Sequence, residues 1–284
     1  MKLIDGEKIS ATLKEQLAEQ VKTFPEIYGR VPHLVVVRAG EDPASVVYVR
    51  NKAKACEAVG IKNTTIVKDD NISEEELINL IKELNADDSV DGVLVQLPLP
   101  KHISEAKVIE TIDKNKDVDG FHPLNVAGLW QKTPHMEPCT PKGIMYLLKE
   151  MGIDPKGKRA VVIGRSNIVG LPVAKMLLDA NATVTQCHTR TVDMPSITRQ
   201  AEILVVAAGK AKMVTEDMVS DGVVVIDVGM DRDPETGKLC GDVDFESVSR
   251  KASAITPVPG GVGPMTIVCL MQNAVECFLR RFVN

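Results

Sequence analysis

From Val31 onward the chain alternates short β-branched runs with stretches of helical period, and this rhythm constrains the fold more than any other feature. Strands separated by helices build βαβ units, whose crossovers set neighbouring strands parallel. VPHLVVV (31–37) reads as a strand. PASVVYVRNKAKACEAVG (43–60) reads as a helix, with Val46, Val49, Ala53 and Cys56 at helical spacing and Gly60 suited to a C-terminal cap. NTTIV is then a strand, SEEELINLIKELN a helix opened by Ser73 and an acidic first turn, and VDGVLVQLPL another strand.

The stretch from Asp113 to Pro141 is rich in Pro, Gly, Asn and Asp and reads as a crossing between domains. A helix near 141–151 opens a second set of strands, KRAVVIG, ATVTQCH, EILVVAAG and GVVVIDVG, with a helix from about Ile168 to Ala180 after the first. At about 150 residues per domain, 284 residues suggest two. The expected fold class is α/β, with two open α/β domains: 1–118, a crossing over 119–140, and a Rossmann-type sheet over 141–263. A last helix, 264–284, starts at Pro264 and presents Ile267, Leu270, Met271, Ala274 and Phe278 on one face, suited to folding back onto the first domain.

Composition narrows the partners. The net charge is -5, with 34 basic and 39 acidic residues mixed along the chain, and only three Tyr, five Phe and one Trp are available for base stacking, so nucleic acid is not an expected partner. The N-terminal MKLIDGEKIS is acidic by Asp5 and lacks a signal core, and no run of about 18 apolar residues is evident, so a cytoplasmic protein without a membrane partner is expected. Six cysteines without a CxxC pair read as buried thiols, and no metal site is expected.

After the strand RAVVIG, the segment GRSNIVGLP makes a tight turn at Gly164 and enters a helix whose free amides favour an anion such as pyrophosphate. The spacing is not GxGxxG: Ser166 stands at the second glycine and Gly170 arrives one residue late. Ser166 can cap the helix or donate to a phosphate. In an open sheet the ligand sits beyond the carboxyl ends of the strands, where Gly164, His188, Gly209 and Gly229 are expected to gather. NAD-specific sites place an acid at the end of the second strand, but here that strand ends CHTRT. Thr189 and Arg190, with Arg165, suit the 2′-phosphate of NADP, which is favoured over NAD. A plain strand-helix turn is the alternative.

A second constellation lies in the first half. Tyr48 and Lys52, four residues apart, project from one helix face, where they could position a substrate and move a proton or simply be a surface pair. Gln96 is an uncharged polar residue among apolar neighbours in VQLPLP and needs a partner that a lysine can supply. Asp119 in DVDGFHP is either a binding carboxylate or a turn-former bonding its own backbone. PVPGGVGPMT (257–266) allows close ligand approach, or acts as a hinge.

Taken together, GEDPASVVYVRNKAKACEAVGI, VQLPLPKHI, KDVDGFHPLNVAGL, PCTPKGI, VVIGRSNIVGLP and PGGVGPMT, in this order, resemble the bifunctional methylenetetrahydrofolate dehydrogenase/methenyltetrahydrofolate cyclohydrolase family. The resemblance spans nearly the whole chain. It implies a homodimer whose two domains flank a cleft holding a tetrahydrofolate derivative beside NADP. The implied reactions are oxidation of 5,10-methylenetetrahydrofolate and hydrolysis of the methenyl product to 10-formyltetrahydrofolate. By matching positions, Lys52 is implied as the central group of hydrolysis, Tyr48 as the residue orienting the folate ring, Gln96 as the partner of Lys52, and Asp119 as the pterin ligand. Val95 and Leu97 beside Gln96, with Pro259, Gly260 and Gly261, would line the folate. Gly164, Arg165, Ser166, Thr189 and the backbone near Met230 would bind NADP. The methenyl carbon is already electrophilic, so water addition needs proton movement and orientation rather than a metal. A lysine is a weak base at neutral pH, so Lys52 needs partial burial or the substrate's positive charge beside it.

The family pattern is broken at Thr189, where other members carry serine or arginine, and at AAGKAKMV, which lacks a proline after glycine-lysine. No synthetase domain is expected after Asn284. A short-chain dehydrogenase also spaces tyrosine and lysine by four, but there the pair follows the nucleotide turn, whereas Tyr48 precedes Gly164. The remaining alternatives are a monofunctional NAD(P)-dependent dehydrogenase, which would not need both Lys52 and Gln96, and a non-catalytic NADP-binding sensor.

Overall fold

The computed structural model describes residues 1–282. In chain order the elements are β1 (Lys2–Leu3), α1 (Gly6–Lys22), α2 (Phe24–Tyr28), β2 (His33–Ala39), α3 (Pro43–Val59), β3 (Lys62–Lys68), α4 (Glu74–Ala86), β4 (Gly92–Val95), α5 (Glu105–Thr111) and α6 (Pro123–Trp130). There follow α7 (Cys139–Glu150), β5 (Arg159–Ile163), α8 (Gly170–Asp179), β6 (Thr183–Cys187), α9 (Met194–Thr198), β7 (Ile203–Val206), β8 (Val224–Asp227), β9 (Asp231–Arg232), β10 (Leu239–Cys240), α10 (Phe245–Val248), β11 (Ala254–Ile255) and α11 (Val262–Arg280). They form two compact units: residues 12–139 with the chain from Ile267 onward, and residues 1–11 with 140–266.

In the unit holding residues 12–139, three parallel strands lie in the order β3-β2-β4. Central β2 is buried at every residue, which is why it reads as a continuous apolar run instead of an alternation. Val35, Val37 and Ala39 share a core with Val93 and Val95 of β4, Leu77 and Ile81 of α4, and Val108 of α5. Helix α3 starts where the Asp42 carboxylate accepts from the Ser45 amide and ends on Gly60 at φ +84°. Helix α4 opens with a reciprocal capping box between Ser73 and Glu76. The sequence predicts a strand as far as Leu99, but β4 stops at Val95. The Gln96 amide still bonds the Val37 carbonyl at 2.8 Å, and Pro98 then has no amide to continue the ladder.

Residues 119–139, expected as a crossing, contain α6 and belong to this unit. Asn273 of α11 ties them down, its Nδ2 donating to the carbonyls of Val118 at 2.8 Å and Glu137 at 2.9 Å. Further along α11, Phe278 is fully buried. It stacks on Phe24 at 5.3 Å, meets Tyr28 edge-on at 5.4 Å and lies under the Arg30 guanidinium at 4.8 Å. Arg30 in turn makes a bidentate pair with the buried Asp91 at 2.6 and 2.7 Å. Helix α11 also corrects the expectation that no segment is long and apolar enough to cross a membrane: its 19 residues meet that test. Their apolarity is spent on protein packing, as at Phe278 and at Met271, whose Sδ lies 3.4 Å from Cys56 Sγ. Residues 283 and 284 of the expected last helix lie outside the described residues.

The other unit is a six-stranded, all-parallel sheet in the order β1-β11-β8-β7-β5-β6. Its core includes Val161, Ile163, Leu204, Val206, Val225 and Ile255. β1 pairs Lys2 with Ala254 and Leu3 with Ile255, so the first residues, expected in the N-terminal domain, extend this sheet instead. Two residues of strand carry too little periodic signal to be read from sequence. Strands β6 and β7 lie on opposite sides of β5, which creates a topological switch point at the carboxyl end of β5.

Replacing Phe278 with alanine removes the centre of the aromatic cluster and is expected to cost about 3–5 kcal/mol. Urea unfolding followed by fluorescence of Trp130, the chain's single tryptophan and part of the same unit, measures this loss; Phe282→Ala, at a half-exposed position, should cost less.

Candidate active site

Helix α3 carries Tyr48 and Lys52 one turn apart on one face, both partly buried. The carboxyl end of β4 brings Gln96 to them: Lys52 Nζ donates to Gln96 Oε1 at 2.9 Å. The Gln96 amide nitrogen donates to the Leu97 carbonyl at 2.7 Å, so its oxygen is the end turned to the lysine. Val95 is buried at the end of β4 and Leu97 is partly buried. Burial pushes the Tyr48 phenol up.

Asp119 follows on the loop after α5. Burial drives its carboxyl up to about 6, against the pull of the Lys52 ammonium and with a smaller push from Asp117. Tyr48, Lys52, Gln96 and Asp119 thus belong to one unit, with Lys52 linked by hydrogen bond to Gln96 and by charge to Asp119.

The turn-forming role weighed for Asp119 belongs to Asp117, two residues earlier. The buried Asp117 carboxylate accepts from the amides of Gly120 at 3.1 Å and His122 at 2.8 Å, and from Asn125 Nδ2 at 2.8 Å. Gly120 sits at φ +72°, where an added Cβ would lie 2.9 Å from the Glu137 carbonyl carbon. Asp117 takes the amides of the turn, the Val118 carbonyl is held by Asn273 and by the Cys139 thiol at 3.3 Å, and the same thiol reaches Asp119 Oδ1 at 4.0 Å. Two aspartates in DVDG were visible in sequence, but which one faces inward was not. Asn273 carried only the signal of a polar residue on an apolar helix face.

In the six-stranded unit, Gly164 follows β5 at φ +120°, and an added Cβ would lie 2.1 Å from the Ala207 carbonyl oxygen. Gly170, one residue late for the usual motif, opens α8, and a Cβ there would strike the Gly164 carbonyl at 2.3 Å. The late glycine therefore does the close-packing work of the third motif glycine. Ser166 Oγ accepts from the amides of Val169 at 3.2 Å and Gly170 at 3.3 Å, which leaves its proton to donate. Arg165 and Ser166 are exposed, as are Thr189 and Arg190 in the turn after β6. Gln186 Nε2, in β6, donates to the Gly164 carbonyl at 2.5 Å and ties that strand to the Gly164 turn.

Gly209 and Gly229 follow β7 and β8 at the same sheet edge. Pro259, Gly260 and Gly261, expected to line the folate, are built into this unit, where the Gly260 carbonyl accepts from the Glu7 amide at 2.9 Å. Met230 lies beside the same loop: a Cβ on Gly263 would come within 3.1 Å of Met230 Cε. A glycine-lined turn, a hydroxyl donor and the acid-free residues His188 to Thr191 directly after β6 fit a dinucleotide bearing a 2′-phosphate.

The chain is similar to known proteins over nearly its whole length. Residues 4–119 match the catalytic domain of tetrahydrofolate dehydrogenase/cyclohydrolase and residues 138–282 match its NAD(P)-binding domain. The bifunctional protein FolD of Streptococcus uberis is 54% identical over 98% of both chains. The crystal structure of the bifunctional FolD methylenetetrahydrofolate dehydrogenase/cyclohydrolase from Campylobacter jejuni is 52% identical, covers 99% of both chains and superposes with a TM-score of 0.96. The Trypanosoma brucei dehydrogenase-cyclohydrolase, solved with NADP cofactor and inhibitor, is 38% identical over 99% of this chain and 98% of its own, with a TM-score of 0.95.

The raised Asp119 carboxyl has a signed effect on stability. A carboxyl whose folded value, about 6, lies above its unfolded value near 3.8 stabilises the fold at acid pH, and that contribution is lost as pH rises through 6. Relative to the parent, Asp119→Asn should therefore gain up to about 3 kcal/mol between pH 4 and pH 8, read from urea unfolding at the two pH values.

Proposed function

Because the chain belongs to the tetrahydrofolate dehydrogenase/cyclohydrolase family, we propose the following reading: it oxidises 5,10-methylenetetrahydrofolate to 5,10-methenyltetrahydrofolate with NADP, then hydrolyses that product to 10-formyltetrahydrofolate. The observation that carries the hydrolytic half is the Lys52–Gln96 hydrogen bond, with Asp119 close enough to feel the lysine charge. A dehydrogenase alone needs no such proton-handling pair.

NADP supplies the acceptor for the hydride that leaves the methylene carbon. Gly164 and the α8 amino terminus receive its pyrophosphate, Ser166 donates to a phosphate oxygen, and Arg165 with Thr189 engages the 2′-phosphate. Met230 contributes backbone at the same edge. For the folate, Tyr48 packs against and orients the ring system and Asp119 bonds the pterin. Val95 and Leu97 line the bound molecule. In hydrolysis, water adds to the methenyl carbon and the bond from that carbon to N5 breaks; of the two protons of that water, one passes through Lys52 to the departing N5 and the other is released to solvent, leaving the formyl group on N10. Gln96 holds the lysine amine in place, so the proton is handled at a fixed point without a metal.

The protein acts as a homodimer in the cytoplasm, with neither nucleic acid nor membrane as partner. The mixed charge pattern and net charge of -5 support the absence of a nucleic-acid partner, and sedimentation at twice the chain mass tests the dimer.

Purified protein supplied with methylenetetrahydrofolate and NADP should generate reduced cofactor, and absence of reduction with either NADP or NAD defeats the reading. Lys52→Ala should lower hydrolysis of methenyltetrahydrofolate by at least about 100-fold, the size of a lost general acid–base group, and an unchanged rate removes Lys52 from its role. Arg165→Ala should weaken NADP more than NAD, whereas equal losses argue against phosphate recognition.

A further inference from the structure

The nucleotide crevice of an open parallel sheet has two walls, the loops that follow the strands on either side of the switch point. Here one wall is the Gly164–Ser166 turn after β5 and the other is the Ala208–Lys210 turn after β7. The two touch, since a Cβ on Gly164 would lie 2.1 Å from the Ala207 carbonyl oxygen. In the second wall Gly209 stands at φ +63°, and nothing lies within 4 Å of where a Cβ would sit. Three successive amides of the turn go to one side chain. Asp242, fully buried, accepts from three consecutive amides, through Oδ2 from Ala208 at 2.6 Å and Gly209 at 3.1 Å, and through Oδ1 from Lys210 at 2.7 Å.

Asp242 is itself held by a second carboxylate. Asp227, at the end of β8, accepts from the amides of Gly229, Asp242 and Val243, each at 3.0 Å. The arrangement depends on two glycines, because a Cβ on Gly229 would strike the Asp242 amide at 2.4 Å and one on Gly241 would strike the Asp227 carboxylate. A buried carboxylate satisfying three amides of a loop that faces a ligand edge sets the directions of those amides and of the carbonyls between them.

We infer that Asp242 is a positioning residue for the dinucleotide, holding the Ala208–Lys210 wall in the shape that accepts NADP, while contributing nothing to hydrolysis of the methenyl substrate. This rests on the bifunctional reading above, which also makes it testable. One activity needs the cofactor wall and the other does not, so the same preparation carries its own control for folding.

The experiment compares the parent enzyme with Asp242→Asn, in which one amide nitrogen replaces an accepting oxygen and faces a donor. KM for NADP in the dehydrogenase reaction is measured beside the rate of hydrolysis of methenyltetrahydrofolate supplied without cofactor. The expected result is a KM for NADP raised about tenfold, with hydrolysis within about twofold of the parent. An unchanged KM for NADP, or a loss of hydrolysis as large as the loss of dehydrogenase activity, overturns the inference, because a purely structural role lowers both activities together. If circular dichroism shows that Asp242→Asn does not fold, Gly209→Val disturbs the same turn without touching the carboxylate and is judged by the same two numbers. A parent that neither reduces NADP nor hydrolyses the methenyl compound defeats the underlying reading itself, whereas the variant comparison bears on Asp242 alone.

Discussion

Loops at the carboxyl ends of parallel strands leave backbone amides without a ladder partner, and in this protein buried carboxylates take them up. Asp117 satisfies two amides and a side-chain amide in the loop that carries Asp119, and Asp242 satisfies three in the turn after β7. An unmet buried amide costs on the order of 1–3 kcal/mol, so each carboxylate commits its loop to one conformation. The Asp242-held turn follows β7 beside the switch point of the six-stranded sheet, and the Asp117-held loop follows the parallel bridge of Asp117 to Val93 of β4.

Each loop divides its labour among neighbouring residues. In DVDG, Asp117 builds the turn, while burial raises the carboxyl of Asp119. At the Gly164 turn, Ser166 caps the approach to α8 through its oxygen, while Gly170 packs against the Gly164 carbonyl, where a Cβ would clash. The departure from GxGxxG therefore changes which residue meets each requirement without removing any requirement.

The two halves of the chemistry have different physical needs. The lysine, glutamine and aspartate sit on a helix, a strand end and a clamped loop of one unit, which suits proton transfer at fixed geometry. The Gly164 turn and the start of α8 sit at the switch point of a six-stranded sheet, an arrangement of helix amides and glycine backbone suited to phosphate.

Periodicity and turn chemistry were enough to read the parallel α/β class, most strand positions, Gly60 as the C-terminal cap of α3, Ser73 as the opening of α4 and the strand-turn-helix at Gly164. These signals are local: they depend on spacing within one element or on the residue types flanking it. Tertiary structure alone decided that residues 1–11 extend the second sheet, that β4 ends at Val95, that 119–139 fold with the first unit, and that Asp117, Asn273 and Asp242 hold the loops. Those outcomes depend on hydrogen bonds between residues far apart in the chain, such as Asn273 with Val118 and Asp242 with Ala208, and neither spacing nor composition encodes which distant backbone group a polar side chain will meet.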